Sequence, residues 1–245
     1  MLKLNDEYYC TLFDSVFFPL GLTMIHSLLE NQKNAYIFVL CMDTTVHISI
    51  NKLLNPRIKV ILLEEIEKQY PELLKIKNQR TRGEYCWTMT PVLLQFIILK
   101  YKINRITYLD SDLYFFSNPN ILIQEMIDNH KHVLITEHAY DSKYDQSNLS
   151  GKFCVQFMTF NNTLEGLKVL QWWKEKCIEW CFARHEDGKF GDQKYLDVWP
   201  IIFNNEVHIL SLKDKTLAPW NVSYFSKKGL KLEPVFYHFH GFRIQ

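Results

Sequence analysis

The sequence predicts an α/β fold with a mostly parallel sheet flanked by helices. Short β-prone runs alternate repeatedly with stretches of helical periodicity, and such βα units join parallel strands with helices on the sheet faces. A chain of 245 residues with 47% hydrophobic content can bury a full core without disulfides or structural metal. No internal repeat or low-complexity linker divides it, so residues 1–245 read as one domain.

Residues 8–13 are a β-prone run ending at Asp14-Ser15, and 16–30 carry apolar residues at helical spacing with Pro19 in the first turn. A buried strand over 35–41, a helix near 44–54, a strand over 58–63 and a Glu/Lys-rich helix from about Glu64 follow. Thr90-Pro91 predicts a helix start, because proline at the first helical position forfeits no hydrogen bond, and 92–101 supply its apolar face. The strand 105–109 runs straight into Asp110-Ser111-Asp112 and then Leu113-Tyr114-Phe115-Phe116. Beyond it lie a helix over 119–129, strands over 132–136 and 153–160, and a polar stretch between them. A long helix opened by an Asn162/Glu165 box runs through Trp172, Trp173 and Trp180.

The charges nearly cancel to a formal +1 and no dense Lys/Arg stripe appears, which argues against nucleic acid as a partner. Cys10, Cys41, Cys86, Cys154, Cys177 and Cys181 lack the spacing of a disulfide scaffold and read as free thiols of a reducing, cytoplasmic compartment. Asn5, Asp6 and Glu7 stand where a signal peptide needs an apolar run, and no run is long enough for a transmembrane segment, so only peripheral membrane contact is expected. The Asn-x-Ser/Thr triplets at Asn148, Asn161 and Asn221 read as chance in that setting.

The sharpest chemical feature is YLDSDLYFF, two carboxylates at the end of an apolar strand, where open α/β sheets place their ligand crevice. In an extended segment Asp110 and Asp112 face the same way and repel when ionised, and a divalent cation would hold both charged. The bland alternative is a solvated acidic turn. A second feature is the aromatic-rich run from Pro234 to Arg243 with His238 and His240, of which a neutral imidazole could complete a carboxylate site suited to Mn²⁺. A packed core histidine is the alternative.

Asp192-Gln193, after a Gly-containing turn, offers donors and acceptors suited to sugar hydroxyls, unless Asp192 merely caps the next helix. Cys177, Cys181 and His185 invite a zinc reading, but on one helix the outer pair would stand about 12 Å apart, too far for one metal. Trp172-Trp173 reads as packing rather than a sugar platform.

Taken with RTRGEYCWTMTP, GKFCVQFMTFNN, GDQKYLD, APWN and YHFHGFR in this order, the chain resembles bacterial family-eight-like glycosyltransferases of the GT-A (Rossmann-like) fold, found with surface-polysaccharide genes. The resemblance implies a nucleotide-binding part over about 1–112 and an acceptor and sugar part over about 113–245. It implies that Thr11, Phe13 and Asp14 cradle the nucleotide. Asp110 and Asp112 would bind Mn²⁺ (or Mg²⁺) and, with Ser111 between them, the nucleotide-diphosphate sugar. His238, in His-x-x-Gly spacing with Gly241, would be the third ligand with His240 its neighbour, and Asp192 and Gln193 would touch the donor sugar. The acceptor would be a glycan, lipid-linked or protein hydroxyl, and the anomeric configuration would be retained.

Two departures stand out. Cys154-Val155-Gln156 replaces the usual Asn-x-Gly, and the Lys-Pro-Trp after the final glycine is absent, leaving Arg243 as the nearby cation for the departing diphosphate. A haloacid-dehalogenase-type phosphatase would place Thr or Val where Tyr114 stands and its DxD near the chain start. A degenerate transferase fold kept as a binding partner has no need of two carboxylates and a spaced histidine.

Overall fold

The computed structural model describes residues 6–227, 229 and 231–242. The chain runs through β1 (Glu7–Phe13), α1 (Phe18–Asn31), β2 (Ala35–Cys41), α2 (Thr44–Asn51), β3 (Ile58–Leu62), α3 (Leu63–Gln69), α4 (Glu72–Lys77) and α5 (Arg82–Tyr101). Next come β4 (Arg105–Leu109), β5 (Leu113–Phe115), α6 (Asn120–Asp128), β6 (Val133–Glu137), α7 (Ser147–Ser150), β7 (Phe153–Asn161) and α8 (Leu164–Glu179). The remaining elements are α9 (Trp199–Ile202), β8 (Val207–Ile209), β9 (Thr216–Leu217), α10 (Val222–Lys227) and β10 (Phe236–His238).

Strands β1 and β2 are nearly continuous apolar runs because the sheet is covered on both faces. They pair in parallel from Glu7 opposite Ala35 to Phe13 opposite Cys41. Alternation sends Tyr8, Cys10, Leu12, Phe38 and Leu40 to the layer packed with α5 and α8, and Tyr9, Phe13, Ile37 and Val39 to the layer packed with α1. The seven-stranded sheet has the order β3-β2-β1-β4-β7-β6-β8. Only β7 runs against its neighbours, so the sheet is mostly parallel as the alternation predicts. A three-stranded sheet, β5-β10-β9, is separate. Because β1 lies between β2 and β4, the connections leave it in opposite directions, and this switch point opens a crevice at the strand ends that precede Asp14 and Asp110.

Three readings of the sequence need correction. Helix α5 begins at Arg82, not Thr90, with Thr81 and Glu84 forming a reciprocal capping box and Pro91 inside the helix. Proline there denies the Trp87 carbonyl its partner, a cost of about 3 kcal/mol, but the helix is buried continuously from Thr88 to Ile98 and that packing prevails. The cap of α8 is Thr163, which accepts from Gly166 N, while Asn162 donates to the Ile103 carbonyl. That helix stops at Glu179, so Cys181 and His185 are not on it. Cys177 and Cys181 are buried in the core, and His185 stacks on Phe190. Asn221 is fully buried, its amide donating to the carbonyls of His138 and Thr216, which makes it no glycosylation acceptor in the folded chain.

Candidate active site

After β4 the chain does not stay extended. Asp110-Ser111-Asp112 forms a turn that hands the backbone from the large sheet to β5 in the small one. Asp110 N still donates to the Gln156 carbonyl on β7, and Asp112 O accepts from Phe239 N just past β10. The antiparallel register of β10 on β5 sets His238 opposite Leu113, and so beside Asp112. Sheet pairing thus joins residues that are far apart in sequence.

His238 Nε2 lies 3.0 Å from Asp112 Oδ1 and 4.0 Å from Asp110 Oδ2. Its Nδ1–H donates to Gln156 Oε1 at 2.8 Å, and Gln156 Nε2 donates onward to Thr136 Oγ1. This chain fixes the ring and leaves Nε2 facing the carboxylates. The ligand atoms form two overlapping groups, Asp110 with Cys154 and His238, and Asp112 with His238 and His240, each within 4.8 Å. His238 is common to both, and His240 reaches the group as well.

The electrostatics follow from burial. Asp110 is pushed up to about 6, by burial first; His238 opposes this and the Asp112 charge adds to it. Burial would raise Asp112 too, but the charge and hydrogen bond of His238 hold it below the usual carboxylate range. Burial alone would lower His238, and Asp112 outweighs it, keeping the imidazole well above its ordinary value. Among the described residues neither acid has a Lys or Arg ion-pair partner. A partly buried pair of carboxylates left with one imidazole between them fits a divalent cation, whose charge would relieve their repulsion.

These residues open into a cavity of about 880 Å³, which Phe13, Asp14, Ser111 and Gly241 also line. Thr11 sits deeper. It is fully buried and not part of the lining. Asp14 accepts from Val16 N and Phe17 N and pairs with Arg82 Nε at 2.7 Å. Arg82 also pairs with Asp43, the cap of α2. Gly241, at φ +76°, takes a left-handed conformation that favours glycine, in the turn where Phe242 N returns to the Phe239 carbonyl.

Gly191, at φ +54°, turns the chain so that Asp192 and Gln193 enter the cavity wall. Asp192 caps no helix, because the next helical turn starts at Lys194 after Gln193, which makes no side-chain capping bond. It is 5% exposed and pushed up to about 8, by burial and then by the Asp110 charge. The buried Trp173 donates from Nε1 to the Asp192 carbonyl and stacks on Phe160, so the tryptophan pair does pack. Gln193 Nε2 donates to the Ser150 carbonyl. Arg243 lies outside the described residues.

Sequence reasoning missed three groups. Arg82, within RTRGEYCWTMTP, lines the cavity and pairs with Asp14 and Asp43. Stacked His138 and Tyr140 line the cavity, with burial pushing His138 down to about 3 and keeping it neutral. Trp220 packs edge-on against His138, His238 and His240, and its buried Nε1–H has no partner among the described residues.

The large, mostly parallel sheet flanked by helices is the architecture of the GT-A class of sugar-transferring enzymes. The chain belongs to glycosyl transferase family 8, which it matches over residues 2–243, and it is a glycosyltransferase. The uncharacterized protein YfnF of Bacillus subtilis (strain 168) is 31% identical over 250 residues, covering 96% of this chain and 82% of that protein. Mouse xyloside xylosyltransferase 1 shares the fold with a TM-score of 0.60 at 16% identity, over 96% of this chain and 98% of its own. The galactosyltransferase LgtC, solved with donor and acceptor sugar analogues, does so with a TM-score of 0.60 at 12% identity, over 96% and 87%. No described helix is long and apolar enough to cross a membrane.

Proposed function

We propose that the enzyme transfers a sugar from a nucleoside-diphosphate donor to an acceptor hydroxyl with a divalent cation, Mn²⁺ or Mg²⁺, held by Asp110, Asp112 and His238. The observation that carries this reading is the convergence of both carboxylates on His238 Nε2 at the switch point. When bound, the ion would offset charge gathering on the leaving diphosphate. Residues 1–112 would serve the nucleotide, with Phe13, Asp14 and Ser111 lining its half of the cavity, and 113–245 the sugars. Asp192, uncharged near neutral pH in the free enzyme, would donate a hydrogen bond to a donor-sugar hydroxyl beside Gln193. Arg243, close after Gly241, is the cation proposed to meet the departing phosphates. Retention of configuration and a cytoplasmic role in surface-glycan synthesis belong to the same proposal.

Titration calorimetry tests it. UDP or GDP should bind far more tightly with Mn²⁺ than in EDTA, and equal affinity in both would refute the metal assignment. The Gln156→Leu variant adds a finer test, since it removes the group that holds His238 while Thr136 Oγ1 keeps its bond to the Cys154 carbonyl. Losing such an outer partner should cost about 10–100-fold in Mn²⁺ affinity. An unchanged Mn²⁺ titration, followed by electron paramagnetic resonance, would show that ring orientation is set elsewhere.

A further inference from the structure

We propose that Asp110, Cys154 and His238 form a ligand set for a thiophilic divalent ion, Zn²⁺ above all, which displaces the hard cation from the same pocket and holds the enzyme inactive. The zinc site rests on these three side chains alone; its inhibitory effect rests also on the glycosyl transfer proposed above.

The carboxylate oxygen, thiol sulfur and imidazole nitrogen lie within 4.8 Å of one another. Tetrahedral zinc, with bonds of about 2.0–2.3 Å, sets such atoms roughly 3.3–3.8 Å apart, so a small inward movement completes the set. Cys154 and His238 are 4% and 3% exposed. Little side-chain freedom is left for binding to remove.

The thiol owes its position to a break in the sheet. Leu134 of β6 faces Thr159 of β7, but Thr136 faces Cys154, where an unbroken ladder would bring Phe157. Irregularities of this kind re-aim side chains beside active sites. This one supplies both Cys154 and Gln156, and Gln156 points His238 Nε2 into the same space.

Sulfur and imidazole together favour Zn²⁺ over Mn²⁺ or Mg²⁺, and the general order of divalent affinities runs the same way. Binding releases the thiol proton. Because the inner set shares Asp110 and His238 with the proposed hard-ion set, one ion excludes the other.

Co²⁺ is the optical probe. Wild-type enzyme should show sulfur-to-cobalt charge-transfer absorption, lost in Cys154→Ser and kept in Cys86→Ser, whose half-buried thiol lines the same cavity. Zn²⁺ should erase the band, displace bound Mn²⁺ in a paramagnetic resonance titration, and bind Cys154→Ser at least about 10–100-fold more weakly. No band in the wild type, or a band unchanged in Cys154→Ser, overturns the proposal. So does simultaneous binding of Zn²⁺ and Mn²⁺. Should the variant misfold, protection of Cys154 from a thiol reagent by Zn²⁺, read by peptide mass spectrometry on wild-type enzyme, decides instead, and absence of protection overturns it. The two readings fail separately. Mn²⁺ bound without a cobalt–sulfur band removes the zinc site alone, whereas a Cys154-dependent band with no Mn²⁺ binding removes the hard-ion assignment alone.

Discussion

Asp112→Asn should lower sugar turnover by at least about 10²–10³-fold while the protein stays folded. The size follows from the loss of charge stabilisation at the leaving group, for which removal of a single stabilising contact has that order of effect. The fold survives because the amide keeps the shape of the side chain and the backbone bond from Phe239 N to Asp112 O is untouched. His238 loses the partner that holds it protonated, but burial then favours its neutral form, so no stranded charge remains. Breaking the pair should therefore cost less than the 3–5 kcal/mol typical when a buried charge is left alone. Turnover and thermal melting by circular dichroism on one sample check both halves. Wild-type turnover would show that Asp112 has no part in the chemistry, and an unfolded variant would show that the pair is structural.

The parts of this site that neighbours in sequence build were readable before the structure. Strands at Ala35–Cys41 and Arg105–Leu109 announced themselves by apolar runs, and the two acids followed directly on the second. Local rules failed where tertiary packing overrode them, as at Pro91, whose usual place at a helix start yields to a buried α5. Contacts made by strand pairing left no local signal. Nothing near Cys154 or Gln156 in the chain says that an irregular β7 delivers them to His238, and only the spacing to Gly241 distinguishes that histidine from His240. The clasp of Arg82 on Asp14 and Asp43 joins three segments across the crevice rim and was invisible for the same reason.

Asp192→Asn should make the protein more stable and less active, with the gain in stability growing as pH rises. Asp192 carries an ordinary value of 3.8 when unfolded and about 8 when folded. Below the lower value both states hold the proton and the group costs nothing. Between the two values the unfolded chain releases the proton and the native protein keeps it, so native stability falls with pH by up to about 1.4 kcal/mol per unit, levelling above the upper value. Asparagine cannot ionise, so the variant escapes this penalty, and the difference should reach a few kcal/mol. At about 2–4 °C per kcal/mol for a chain of this size, that is a shift of several degrees. Asp110 is also raised by burial, and because it is present in both proteins its contribution largely cancels in the comparison. Melting curves in EDTA from pH 4 to pH 8 read the result, and a Tm difference that stays flat would show that Asp192 is not held protonated. Turnover moves the other way if the carboxyl serves the donor sugar, with nucleotide affinity nearly unchanged because that half of the donor does not sense the loss. A more stable variant with full turnover would make Asp192 part of the scaffold. A more stable, slower one would mark it as a residue kept at the expense of stability for what it does to the sugar.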